Sequence, residues 1–265
     1  MSTTRVELID FAEAPARFME PRPGRTLVVD DRLAFAHDFG QTWAAVEGVR
    51  LLDGDVGDAV RDVAALVDGT SAQRCSWWLT EHSTPVDLEE QLLAHGLLRH
   101  DEDYLHAAML LTREPPAVEG VEVRRVKTLE EHVVARRLAL DTFDNPHQVH
   151  PTDEQLAAEW ELGEEPAWIA YVDGRPASVG RAIYTRVGAY LIGGSTAEWA
   201  RGRGAYRAVV RARWDEAVRR GTPALAVGAG PMSRPILERL GFEQVLQLRR
   251  LESVRSDLRE SSSNS

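Results

Sequence analysis

The stretch Leu191-Ile192-Gly193-Gly194-Ser195-Thr196-Ala197-Glu198-Trp199-Ala200-Arg201-Gly202-Arg203-Gly204-Ala205-Tyr206 decides how this chain is read. It begins as an apolar strand, turns within four residues, and opens a helix through a glycine-rich loop. The first turn of a helix leaves backbone N–H groups without partners and carries a partial positive charge. Glycine lets a ligand approach that backbone closely. The loop from Arg201 to Tyr206 therefore reads as an anion site suited to a pyrophosphate, with Arg201 and Arg203 adding charge beside it. In the helix beyond, Tyr206, Val210, Trp214 and Ala217 fall on one stripe. Such a helix can pack on a sheet and hold its N-terminus still.

Downstream comes a buried strand, Ala224–Val227, then a polar turn and a short helix, Pro235–Leu240. That helix runs into Gly241-Phe242 and a last strand, Glu243–Leu251. Upstream, Val121–Val126 alternates as a strand should, and Leu129–Phe143 has the apolar spacing of a helix. Pro151-Thr152-Asp153-Glu154 opens a second helix, with Thr152 as N-cap. Ala167–Val172 and Pro176–Tyr184 read as strands joined by the hairpin turn Asp173-Gly174, and Gly188–Thr196 as the strand before the loop. Two familiar phosphate motifs fail here. A dinucleotide fingerprint needs G-x-G-x-x-G, but Gly202-Arg203-Gly204-Ala205-Tyr206-Arg207 ends in Arg, and no acidic ribose ligand closes a following strand. The Gly-Lys-Ser/Thr of a P-loop is absent.

Arg201-Gly202-Arg203-Gly204-Ala205 after a strand resembles the R/Q-x-x-G-x-G/A pyrophosphate loop of the GNAT acyltransferases. The Leu240-Gly241-Phe242 ending and the element order extend that resemblance over about residues 121 to 251, half the chain. The resemblance implies an α/β (α+β) domain: a mixed central sheet flanked by helices, with a splayed strand pair. It implies acetyl-CoA, or another acyl-CoA, as cosubstrate. The pantetheine arm would pair with the exposed edge at Gly194, Ser195 and Thr196, facing Leu225–Val227. The pyrophosphate would sit on the amides of Arg201, Gly202, Arg203, Gly204, Ala205 and Tyr206. A backbone N–H near Gly194–Thr196 would polarise the thioester carbonyl, an oxyanion-type contact. An amine would attack directly, with no covalent enzyme intermediate.

Three departures from the family pattern matter. The last Gly/Ala of the loop is Tyr206, whose side chain must point away from a pyrophosphate. Where many members carry a Tyr that protonates the departing thiolate, this chain has Leu237, and Gly230 replaces a frequent Asn. Ser233 and Tyr206 are the nearby hydroxyls that remain as candidate acids. Glu198, after the splayed strand, is either a general base or a solvated turn carboxylate. His147 and His150 lie between the first two helices, a region that borders the acceptor site in the family. Tyr190 faces either the acceptor or the core. Asp144, His147 and His150 give H-x-x-H without a firm third ligand, so no metal is expected.

The chain has 265 residues, 43% of them apolar and 28% charged, as in soluble globular proteins. The formal charge of -11 disfavours a nucleic-acid partner and suits either a cationic acceptor or simple solubility. Arg nearly replaces Lys among many Ala, Val and Gly, a composition typical of GC-rich bacterial genomes. No run is long enough to span a membrane, and the acidic N-terminus lacks the features of a secretory signal, so a cytoplasmic protein is expected. The single cysteine, Cys75, sits in an apolar run and reads as buried and inert. Pro115-Pro116 marks a linker. Before it, Cys75–Thr80, Asp87–Ala94, His95-Gly96-Leu97 and Tyr104–Leu111 repeat the strand, helix, Gly-hydrophobe, strand order that ends the second half. A tandem of one fold follows: 1–115 a degenerate copy, 116–252 the acyltransferase domain, 253–265 a disordered tail. The first half has no R-x-x-G-x-G counterpart, and its Gly54-Asp55-Val56-Gly57-Asp58 would repel a pyrophosphate, so cofactor binding is expected in the second half alone. The expected function is acetyl-CoA-dependent acyl transfer to an amine of a small molecule or peptide N-terminus, by a monomer or homodimer. The alternatives are a CoA-binding module without turnover and a protein whose loop holds a different phosphate ligand.

Overall fold

A computed structural model describes residues 3–99, 104–142, 150–163 and 165–255. The chain divides into two compact units that are discontinuous in sequence. One takes residues 9–109, 228–235 and 244–265; the other takes residues 1–8, 110–227 and 236–243.

The N-terminal unit is built from the second part of α1 (Arg5–Glu13), β1 (Arg25–Val29), β2 (Ala34–Asp38), β3 (Trp43–Glu47), α2 (Val56–Asp68), β4 (Arg74–Leu79), α3 (Leu88–Ala94), β5 (Leu98–Arg99) and most of β6 (Leu105–Leu111). β1, β2 and β3 form an antiparallel meander, and β3 runs parallel to β4 through the α2 crossover. The chain's last strand, β12 (Glu243–Val254), lies between β4 and β6. It pairs Leu251 with Trp77, Ser253 with Cys75 and Val254 with Arg74. Two expectations are corrected here. The closing strand completes the sheet of the first half rather than the second. Ser253 and Val254, expected to lie in the tail, belong to β12, where Ser253 is buried and Val254 is paired; residues 256–265 lie outside the described residues. Local sequence does not reveal this, because the pairing partner lies in another part of the chain. Trp77, Leu79, Phe35, Val63, Leu92 and Leu251 meet in the core of this unit. Cys75 is fully buried, and burial pushes its thiol up, further from a thiolate, with the nearby Glu252 carboxylate adding to the effect.

The β3–β4 cleft of this unit is closed by its own residues. The parallel ladder runs for four pairs, Trp43–Val46 with Arg74–Trp77, and a further parallel bridge joins Arg50 to Thr84. Leu51 N donates to Thr84 O, and Thr84 N to Val49 O. A short 3-10 turn, Pro15–Phe18, covers the end of β3. There Ala16 N donates to Glu47 Oε2 at 3.0 Å and Arg17 Nη2 to the Gly48 carbonyl at 3.0 Å. Gly48 has φ +59, and a Cβ on it would lie 2.8 Å from Arg17 Nε and 2.9 Å from Ala14 Cβ. Burial raises the Glu47 carboxyl to about 7, against the Ala16 amide and the Arg17 charge, which lower it.

The C-terminal unit contains β7 (Glu122–Arg125), α4 (Leu129–Thr142), α5 (Asp153–Glu161), β8 (Ala167–Val172), β9 (Arg175–Tyr184), β10 (Ala189–Thr196), α6 (Ala205–Arg219), the start of β11 (Leu225–Ala229) and most of α7 (Arg234–Arg239). Its strands run β7-β8-β9-β10-β11, antiparallel except for the β10–β11 pair. Asp173 and Gly174 both have positive φ, the turn that matches strand twist in a two-residue hairpin. Thr152 caps α5 in a full capping box with Gln155. α4 packs on one face of the sheet, where Ala135 meets Ile169 and Val179. α6 packs on β8, β9 and β10. The face opposite Val179 carries Trp168 and Tyr184, whose rings meet, and the Tyr184 hydroxyl donates to the Arg213 carbonyl of α6. Between α4 and α5, Arg136 makes a bidentate pair with Glu159, at 2.8 and 3.2 Å, with His132 Nε2 3.6 Å from the same carboxylate.

Two stability predictions follow from these contacts. Removing one partner of a buried ion pair strands the other charge, so Glu159→Ala should cost about 3–5 kcal/mol in urea unfolding. Arg136→Met with Glu159→Leu should recover most of it; an additive loss would show that the pair is not buried as a unit. The folded-state value of Glu47 lies above the ordinary carboxylate range, so the folded protein holds that proton more tightly than the unfolded chain does. Stability should therefore fall as pH climbs from about 5 to 8, by up to roughly 3 kcal/mol. Glu47→Gln, which can still accept from Ala16, should flatten that slope; an unchanged slope would remove Glu47 as its source.

Candidate cofactor-binding site

The parallel ladder between β10 and β11 consists of two pairs, Ala189 with Leu225 and Tyr190 with Ala226. β10 continues to Thr196 while its pairing with β9 shifts register between Ile192 and Ser195. The shift sets Gly193 and Gly194 against the single residue Gly180, which is a β-bulge. A bulge leaves an extra residue unpaired and bends the strand. The polar groups of β10 past Tyr190 are thus partly released where the resemblance puts a thioester.

Two glycines set how closely α6 approaches this strand pair. A Cβ on Gly180 would lie 2.8 Å from Arg213 Cζ and 2.9 Å from Val209 Cγ1. A Cβ on Gly194 would lie 2.9 Å from Tyr206 Cε2 and 3.5 Å from the Tyr206 hydroxyl. The Tyr206 ring therefore turns back onto the bulge and away from the helix N-terminus. Arg213, fully buried behind it, donates to the carbonyls of Val209 and Arg181, with its Cζ 6.0 Å from the Tyr206 ring. Burial lowers the Arg213 guanidinium from its ordinary value, and Tyr206 and Tyr184 offset part of that.

The loop after β10 passes through a 3-10 turn, Glu198–Ala200, and then two residues with positive φ, Gly202 at +77° and Gly204 at +84°. Gly204 is the N-cap of α6, so the amides of the first turn point out of the helix with no acceptor in it. Arg201, Gly202, Arg203 and Arg207 are exposed around that turn, while Ala205 is buried against the unit.

Along β10, alternation and the pairing of Ser195 with Val179 put Tyr190, Ile192 and Ser195 on the α4 face. Tyr190 is half-buried there. The Ser195 hydroxyl is buried with no hydrogen-bond partner among the described residues, whereas the Ser195 carbonyl and the Thr196 hydroxyl both meet Ser178 Oγ, at 2.6 and 2.9 Å. A buried hydroxyl without a partner costs about 1–3 kcal/mol, so this atom is a candidate for a ligand contact; the sequence singled out Ser195 for its place on the strand edge and not for its side chain. Glu198 is exposed in its turn. Ser233 donates to the Gly230 carbonyl at 3.2 Å and belongs to the N-terminal unit. Leu237 is fully buried. His150 is exposed just ahead of α5; His147 and Asp144 lie outside the described residues. Gly194, Ser195, Thr196, Tyr206 and the loop thus come together in one unit, and Ser233 does not share it. The signal for Gly180 and Arg213 was a glycine inside a strand and an arginine on the apolar side of a helix.

No family model matches the chain, and no curated protein matches it. Solved structures do. A GCN5-related N-acetyltransferase from Kribbella flavida aligns at 19% identity over 93% of this chain and 95% of its own, with a TM-score of 0.62. A tandem GNAT protein from the clavulanic acid biosynthesis pathway aligns at 14% identity over 96% and 97%, with a TM-score of 0.58. A GCN5-related N-acetyltransferase from Sphaerobacter thermophilus aligns at 13% identity over 84% and 76%, with a TM-score of 0.59. The chain therefore has the fold of the GCN5-related N-acetyltransferases, used in tandem. Among the described residues no helix is long and apolar enough to cross a membrane.

The Gly194–Tyr206 contact makes a measurable prediction. Gly194→Ala should destabilise by about 1–3 kcal/mol, because the ring has to move. In a Tyr206→Ala background the same change should cost much less, giving a coupling of about 1 kcal/mol or more in a double-mutant cycle. Zero coupling would mean that the ring does not rest on the bulge.

Proposed function

We propose that the C-terminal unit binds an acyl-CoA, acetyl-CoA in the simplest case, and transfers its acyl group to an amine in a ternary complex. The observation that carries this reading is the β10–β11 ladder that ends after two pairs, on a strand whose Gly194 then meets Tyr206 in the first turn of α6. An extended amide-bearing arm can pair with a released strand edge, while a diphosphate takes the first-turn amides of the adjacent helix. The pyrophosphate would lie on the amides from Gly202 to Tyr206, with Arg201 and Arg203 beside it. The pantetheine would lie along Gly194–Thr196. A backbone N–H at the Gly193–Gly194 bulge would stabilise the oxyanion formed on the thioester carbonyl.

The amine nitrogen attacks the carbonyl carbon, a C–N bond forms, and the C–S bond breaks as the oxyanion collapses. Tyr206, whose hydroxyl stands by Gly194, is the residue we assign to protonate the departing sulfur. The ammonium proton goes to water or to Glu198, which is exposed to it. The acceptor, an amine of a small molecule or peptide N-terminus, would approach from the α4 face. Tyr190 and Ser195 line that face, and His150 precedes α5. The N-terminal unit would bind no cofactor, because its own backbone and Arg17 occupy the corresponding cleft. One observation favours a second reading, a CoA-binding module without turnover: Leu237 stands buried where the resemblance puts the acid.

Thermal unfolding with acetyl-CoA tests the first step. At 100 times Kd a ligand of the folded state stabilises it by about 2.7 kcal/mol, a shift of a few degrees. Calorimetry should give one site per chain. Gly204→Glu, and independently Arg201→Glu, which leaves the loop backbone intact, should remove most of the shift. A folded wild type that shows none at millimolar acetyl-CoA overturns the proposal. Thiol release with a panel of amines then separates enzyme from module.

A further inference from the structure

Trp199, in the 3-10 turn two residues before Arg201, is 38% exposed. A large indole on the surface of a small unit calls for a reason, and its surroundings give one. The Arg175 guanidinium lies 4.4 Å from its ring centroid and that of Arg203 5.9 Å. An arginine stacked on an indole keeps its five N–H donors free at the rim. Arg203 uses one of them on Asp173, at 2.7 Å. Arg175 and Arg201 have no carboxylate partner among the described residues, in a chain whose acidic residues exceed its basic ones by 11. Cations left unpaired in such a chain form a local anion site rather than part of a balanced surface.

The geometry points to a subsite for the nucleotide end of the cofactor. We infer that Trp199 stacks the adenine and that Arg175, with Arg203, takes the phosphate monoester on the ribose. This rests on the acyl-CoA reading above. In CoA the ribose and its 3′-phosphate follow directly on the pyrophosphate. A pyrophosphate on the first turn of α6 therefore delivers the nucleotide to whatever borders that turn, and the Trp199 turn leads straight into it. Every base has a π-face for an aromatic platform, and a dianionic monoester is the group a guanidinium fork binds best. The indole and the fork are also matched in order: the base stacks while the phosphate, one sugar carbon away, meets the rim donors.

The test compares CoA with 3′-dephospho-CoA by calorimetry on the full chain. The wild type should bind CoA about 10- to 100-fold more tightly, the effect of charge-assisted hydrogen bonds to one phosphate. Arg175→Ala should abolish that preference while leaving the affinity for 3′-dephospho-CoA unchanged. Trp199→Ala should weaken both ligands by a similar factor. Equal wild-type affinity for the two ligands overturns the subsite and leaves the acyl-CoA reading standing. Failure of the wild type to bind either ligand overturns both.

Discussion

The site depends on how closely α6 lies against its sheet. At Gly180 there is no room for a Cβ beneath Arg213 and Val209, and at Gly194 none beneath the Tyr206 ring. A helix can settle at that depth only where the strand offers hydrogen in place of methyl. The fully buried Arg213 guanidinium there gives its Nε to the Val209 carbonyl and its Nη1 to the Arg181 carbonyl, and it lies near the Tyr206 ring. The close approach fixes the N-terminus of α6 beside the bulge, so the amides of its first turn and the released groups of β10 belong to one rigid arrangement. A longer spacing would leave the same residues present and the site loose.

The two halves show that the fold alone does not make the site. Both run a meander into a strand, a helix and a parallel strand. In the N-terminal unit the parallel ladder holds for four pairs and is renewed at Arg50 and Thr84, and Gly48 admits Arg17 instead of a ligand. In the C-terminal unit the ladder stops after two pairs and Gly194 admits Tyr206. In one copy the strand pair's backbone groups are used internally. In the other, β10 runs on past the end of that ladder, and among the described residues the buried Ser195 hydroxyl has no partner, as is also true of Gln41 Nε2 and Ser253 Oγ in the first unit. Buried polar groups without partners are rare in native proteins, and the one at Ser195 sits on the strand whose parallel ladder ends early.

The glycine loop, the hairpin at Asp173-Gly174, the Thr152 cap and the helix leading into Gly241-Phe242 were all legible, because each rests on chemistry within a few residues. The partner of β12 was not. Nothing within Glu243–Val254 says that it pairs with Arg74–Leu79, and its buried Glu252 makes sense only against Arg74 and Arg250. The first meander was obscure because its strands are five residues long and interrupted by polar turns. Arg213 reads as a solvent residue until Gly180 is set against it. Tyr206 was legible as a departure from the loop pattern, but its direction, back toward the strand, needed the missing Cβ of Gly194. In each case the unread information was long-range packing, which periodicity does not carry.

The same packing bears on how much a missing acid matters in the proposed reaction. A thiol with an ordinary value near 8.5 leaves as thiolate without great penalty near neutral pH, so protonating it is worth less than stabilising the oxyanion before it. Losing a tyrosine hydroxyl at the position of Leu237 is then tolerable, provided the bulge and its N–H stay in place. The bulge is the part that the glycines at 180, 193 and 194 hold fixed. The hydroxyl of Tyr206 arrives there as a consequence of that packing, because the ring that fills the space over Gly194 carries it. A chain that keeps the costly, glycine-dependent contact and dispenses with the buried tyrosine keeps the larger of the two contributions.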